Sequence, residues 1–154
     1  MTFPGEKDEP LAKKYPVLAQ LTPSKDKLPR NCKILEIPGN VPELKGLENL
    51  AITTEPKFFL IADERLSELI DPETINAIYF GGYRENSECG ILGWAFTSVE
   101  NARIAHKALA KSYGNEKERF RFWLIDEYLV WLWRDPSTTD GYFLFFEHYL
   151  NSQL

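Results

Sequence analysis

The chain carries two residue types with enough intrinsic reactivity to be considered first: two histidines and two cysteines. His106 lies in "VENARIAHKALAKSY", where helical spacing places it beside Ala102, Ala105, Leu109 and Tyr113. A catalytic base there needs an orienting carboxylate and a pocket that substrate can reach. Cys89 becomes its nucleophile only if the fold brings the two together. The apolar setting points instead to a packed histidine, partly buried, hydrogen-bonded and metal-free. His148 follows Glu147 on the polar side of the last helical segment and is expected to be solvated. Cys32 and Cys89 form no CxxC pair and are expected to be reduced and buried.

Other chemistry finds less support. There is no HExxH, no paired CxxC and no Asp-rich calcium loop, so no metal and no cofactor are expected. The acidic run "DERLSELIDPE" places Asp63, Glu64 and Glu68 on what reads as the solvent face of a helix. The glycines of "YFGGY" and "CGILGW" match neither GxGxxG nor a P-loop. Gly81, Gly82, Gly90 and Gly93 instead mark bulges or close approach of a backbone or a bulky ring. No Gly-x-Ser-x-Gly elbow is present, no residue nominates itself as a catalyst, and no motif assigns a family.

The strongest local signal is aromatic. "FRFWLIDEYLVWLWRD" holds Phe120, Phe122, Trp123, Tyr128, Trp131 and Trp133. If Asp126-Glu127 is a two-residue hairpin loop, Ile125 faces Tyr128 and the register runs back to Phe120 opposite Trp133. Opposed residues share a side. One side then carries Phe120, Phe122, Leu124, Leu129, Trp131 and Trp133, and must be core. The other carries Arg121, Trp123, Ile125, Tyr128, Val130 and Leu132, too apolar to face water without reason. Either the N-terminal half folds over it, or Arg121, Trp123, Tyr128, Val130 and Leu132 form an interaction face for a partner or a second copy.

The elements that hold these residues follow from periodicity. "INAIYFGGY", "CGILGWAF", "RFRFWLI" and "YLVWLW" read as strands near 76–83, 89–96, 119–125 and 128–134. Helices are predicted near 98–113 and 138–152. Thr97 and Glu100 suggest a capping box, and Gly114 a left-handed C-terminal cap. Strand–strand–helix thus occurs twice, at a spacing of roughly 40 residues. The implied architecture is α+β: an antiparallel sheet built from two strand–strand–helix units, with both helices on one face. Upstream, a helix from Pro10 is short or kinked at Pro16, "CKILEI" is a strand, 41–54 is mostly irregular, and "EPKFFLIADERLSELID" is a helix opened by Pro56.

Length and charge set the outer limits. With 154 residues, one domain spanning 10–154 behind a flexible arm at 1–9 is expected. A net charge of -5 with scattered basic residues speaks against a nucleic-acid surface. No run of apolar residues is long enough to span a membrane, and no secretory signal opens the chain, so a cytoplasmic protein is expected. The functional expectation is a non-enzymatic interaction module that binds protein or itself through the aromatic sheet face. The acidic balance also suits an inhibitor or immunity-type protein that neutralises a basic partner. The alternative is a small-molecule binder or enzyme with a pocket between sheet and helices, built around His106 and Cys89.

Overall fold

Four long strands form the centre of the molecule, within a few residues of their predicted bounds. The computed structural model describes residues 11–35, 52–60 and 62–154. Its strands are β1 (Lys33–Ile34), β2 (Ile52–Thr53), β3 (Ile75–Arg84), β4 (Glu88–Phe96), β5 (Phe120–Ile125) and β6 (Tyr128–Arg134). All pairings are antiparallel, in the order β1-β3-β4-β6-β5. The two-residue β2 pairs with β3 as well, at Ile78 and Tyr79, so β1 and β2 share that side of β3. The arm expected at 1–9, most of the irregular stretch expected at 41–54 and the end of "CKILEI" lie outside the described residues.

The β5–β6 hairpin has the predicted register, from Ile125↔Tyr128 to Phe120↔Trp133. Its two-residue turn requires left-handed backbone, which Asp126 supplies at φ 51°. The turn lacks glycine, yet holds because the apolar faces on both strands forbid a one-residue slip.

Helices α4 (Val99–Tyr113) and α5 (Asp140–Gln153) lie where the pattern placed them along the chain. They do not share a face of the sheet. Ala102, Ala105, Leu109 and Tyr113 of α4 pack on Ile78, Phe80, Leu92, Trp94, Leu129 and Trp131. Tyr142, Phe143, Phe146 and Leu150 of α5 pack on Ala77, Tyr79, Ile91, Tyr128, Val130 and Leu132. The reason lies in β4, buried from Cys89 to Phe96, so both faces of the sheet are core and each needs a cover. A single helical layer would have left the second face wet.

The short N-terminal helices α1 (Leu11–Lys14) and α2 (Pro16–Ala19) break at Tyr15, with Pro16 opening the second. They join α5 over the second face through Tyr15, Leu18 and Leu21. Gly93 makes this approach possible, since a Cβ there would lie 2.6 Å from Leu21 Cδ1 and 2.8 Å from Leu18 Cδ2. Gly90 likewise accommodates the Trp133 ring, 2.6 Å from where a Cβ would stand.

Three local expectations give way. The helix expected over "EPKFFLIADERLSELID" is a 3-10 turn at Pro56–Phe58 and a short helix α3 (Leu66–Leu69). Phe58 and Phe59 are both buried, and the Phe59 carbonyl, which a continuing helix would use internally, accepts from Trp94 Nε1 at 2.9 Å. The Asp63 carboxylate caps its own turn by accepting from the Arg65 N–H at 2.9 Å. At α4, Ser98 is the N-cap, accepting from Asn101 N–H at 3.0 Å, one residue later than the Thr97–Glu100 box. Gly114 is right-handed at φ -62°, not a left-handed cap.

Candidate functional site

Of the second face proposed for interaction, most is internal. Tyr128, Val130 and Leu132 are buried beneath α5 and the N-terminal helices. Arg121 and Trp123 lie at its outer margin, on β5, and both are held by α5. The Arg121 Nε sits 2.6 Å from Glu147 Oε2, an ion pair whose geometry is not that of an aligned hydrogen bond. Its guanidinium also stacks on the Phe143 ring at 5.3 Å and donates to the carbonyls of Lys117 and Phe120. Trp123 Nε1 donates to Asn151 Oδ1 at 2.9 Å. The chain therefore covers its own aromatic face, and the N-terminal half supplies part of the cover.

The alternative pocket is not assembled. His106 sits on α4, edge-on to the Phe122 ring at 6.1 Å. Cys89 belongs to the opposite face, fully buried with Tyr83, Tyr142 and Phe146. The sheet separates them. His106 is half-buried as expected, but among the described residues it makes no hydrogen bond; its partner is the aromatic ring. His148 is exposed, as its position beside Glu147 predicts.

Burial pushes both thiols up. Cys32 also accepts from Tyr142 O–H at 2.8 Å, which opposes the burial effect without overcoming it. A thiol held protonated is a poor nucleophile. A shallow surface depression that encloses no cavity, lined by Glu85, Asn86, Ser87, Thr138, Thr139 and Tyr142, lies beside this cluster. It holds hydroxyls and a carboxylate but no histidine. Among the described residues no group of three His, Cys, Asp or Glu is arranged to hold a metal ion, and no helix is long and apolar enough to cross a membrane.

A second polar cluster closes the α4 side. Tyr113 O–H donates to Asp63 Oδ2 at 3.1 Å, and Arg65 lies 4.2 Å over the Tyr113 ring while pairing with Asp63 at 3.4 Å. Burial alone would raise the Asp63 carboxyl, but the bonds from Arg65 and Tyr113 outweigh it and hold it below its usual value. Burial and the adjacent Asp63 push Tyr113 up to about 12. This arrangement pins the 62–70 segment onto α4.

Among the described residues, backbone groups are left unbonded at β5. This strand is, among the described residues, the last in the sheet and pairs only with β6. The two-residue turn and the Arg134 N–H to Arg119 carbonyl bond at 3.1 Å fix which residues bond inward. Arg121, Trp123 and Ile125 aim their N–H and C=O groups at β6; Phe120, Phe122 and Leu124 aim theirs outward. Among the described residues, no hydrogen bond reaches the backbone of Phe122 or Leu124. The side chains along this edge are apolar or neutralised. Leu124 is 37% exposed and Leu144, on the α5 flank that meets β5, is 42% exposed. Arg121, the single charge within the strand, is paired with Glu147. Neither proline nor lysine interrupts it, nor does a bulge break its pairing with β6.

Sequence reasoning located β5 and its partner but not its place at the end of the sheet. That place depends on β4 pairing with β6, a contact between the two strand–strand–helix units that local pattern does not encode. No family model, curated protein or solved structure matches the chain.

Proposed function

We propose that this protein is an interaction module that captures an extended protein segment on the β5 edge, adding a strand to its sheet. The observation that supports this is the outward row of N–H and C=O groups at Phe122 and Leu124, unbonded among the described residues, on an edge whose own residues lack the usual guards against pairing. Strand addition draws affinity from those main-chain bonds, and selectivity from side chains on alternate sides. On one side the incoming strand meets Phe122, Leu124 and His106 of α4. On the other it meets Arg121, Trp123 and the Leu144 flank of α5. The reading keeps the interaction role expected from the aromatic hairpin and moves it from the face of the sheet to its edge. An enzyme reading gains nothing from the geometry, because His106 and Cys89 are divided by the sheet.

A library of displayed ten-residue peptides tests the proposal. Selection on the wild-type chain is expected to yield extended sequences with apolar residues at alternate positions and no central proline. Leu124→Pro removes an outward N–H that bonds to nothing among the described residues, so the β5–β6 ladder stays intact. Binding is expected to be lost in Leu124→Pro and retained in Ile104→Lys, which changes an exposed residue on α4 (57% exposed). Equal binding by Leu124→Pro, folded by circular dichroism, overturns the proposal, as does a failure to select any extended peptide.

A further inference from the structure

We infer that a second copy of this chain is a partner of the β5 edge, paired antiparallel about a twofold axis at Phe122. This rests on the strand-addition reading and goes further by naming the occupant and its register. Because Phe120, Phe122 and Leu124 carry the outward groups, two copies can pair only with even residues opposite even residues. Few such registers exist on a six-residue strand. An axis at Arg121 sets two guanidinium groups against each other. An axis at Trp123 sets Phe120 against Asp126 of the other copy, and one at Leu124 leaves Phe120 unpaired and sets Phe122 against that same charge. The axis at Phe122 pairs Phe122 with itself and Phe120 with Leu124, and satisfies all three outward residues on each strand.

Complementarity favours the same register. Arg121 of one copy then lies opposite Trp123 of the other, on the α5 side, where a guanidinium beside an indole ring is attractive. Beyond the strand ends, Lys117 of each copy is carried toward the Asp126-Glu127 turn of its mate, with Glu118 the one like charge in that contact and Arg119 already committed to Glu116. An isologous contact of this kind closes on itself, so it yields a dimer and not a fibre.

The register makes an unusual crosslinking pattern. Residues 121 and 123 of opposite copies form a non-hydrogen-bonded pair, with Cα atoms about 4.5 Å apart, close enough for a disulfide. Arg121→Cys and Trp123→Cys, each in a Cys32→Ser chain, are oxidised separately and as a mixture, and run against wild-type sedimentation. The expected result is a dimer of the wild-type chain, its loss in Leu124→Pro, and a disulfide-linked dimer in the mixture only. Crosslinking of either variant alone overturns the register. A wild-type chain that stays monomeric at all concentrations overturns the second copy as partner. If displayed peptides still bind through Leu124 in that case, strand addition stands without self-pairing; if they do not, both fall.

Discussion

Trp94 and Trp131 offer a controlled comparison, because the same substitution should give unequal costs. Both indoles are buried, at 0% and 3% exposure, and their rings stack 6.2 Å apart beneath α4. Trp→Phe removes the same volume at each. The difference is polar. Trp94 Nε1 donates to the Phe59 carbonyl at 2.9 Å, whereas Trp131 Nε1 is buried without a hydrogen-bond partner, amid the rings of Tyr113, Phe120 and Phe122. Trp94→Phe strands a buried carbonyl, at about 1–3 kcal/mol, and Trp131→Phe relieves an orphan donor worth a similar amount. The two variants should therefore differ by about 2–6 kcal/mol, with Trp94→Phe the less stable. Urea denaturation followed by circular dichroism reads this directly, provided the slopes match wild type. Equal destabilisation, or a larger loss for Trp131→Phe, refutes the hydrogen-bond assignment and the anchoring of the 56–60 turn that depends on it.

Other outcomes follow from the same packing. Tyr79 and Tyr113 are pushed up to about 12, by burial first. Burial raises Tyr83 and Tyr142 further still. The folded state then keeps protons that the unfolded chain releases near pH 10, so this stability is whole below about pH 10 and is lost as pH rises toward 12. Phenolate absorbance should appear together with unfolding, and phenolates formed near pH 10 in an intact fold would contradict the burial of these rings. Trp123→Ala should cost about 2 kcal/mol, less than the roughly 3–5 of a fully buried Trp, because its ring is only half covered by α5; thermal melts of Trp123→Ala and Trp131→Ala compare the two. Gly93→Ala should cost about 1–3 kcal/mol by pushing Leu18 and Leu21 off the sheet. In a Leu18→Ala background the same change should cost less, and strict additivity would show that α2 does not pack there.

Much of this fold was legible because hydrophobic periodicity is local. The hairpin register followed from a two-residue loop and two apolar faces, and Trp131 fell on the buried α4 side as its parity required. The helical periodicity around Ala102 and Phe146 was equally plain, although the caps read for the first of these helices were not the ones it uses. What local pattern did not encode was which face each helix would choose. "CGILGWAF" held the clue, since an uninterrupted apolar strand is buried on both sides, but a run of that kind carries no pointer to the element that covers each face. The segment 56–70 misled because Phe58, Ala62, Leu66 and Leu69 keep helical spacing, while Phe59 is drawn into the core and its carbonyl is taken by Trp94, a partner distant in sequence. The candidate site was hidden for the same reason. Arg121 and Trp123 read as an open aromatic face, yet Glu147 and Asn151 of α5 reach back to hold them. The backbone of Phe122 and Leu124, unbonded among the described residues, has no side-chain signature at all.

The role of β5 turns on whether that backbone is open and able to pair, and residue-resolved amide exchange on β5 measures this most directly. In dilute wild-type protein, Arg121, Trp123 and Ile125 should exchange slowly through their bonds to β6, while Phe122 and Leu124 exchange fast. As concentration rises, or a selected extended peptide is added, Phe122 and Leu124 should become protected and the odd-numbered amides should change little. Protection of Phe122 and Leu124 in the dilute monomer, or their fast exchange at every concentration and with every selected peptide, would contradict the role assigned to this edge.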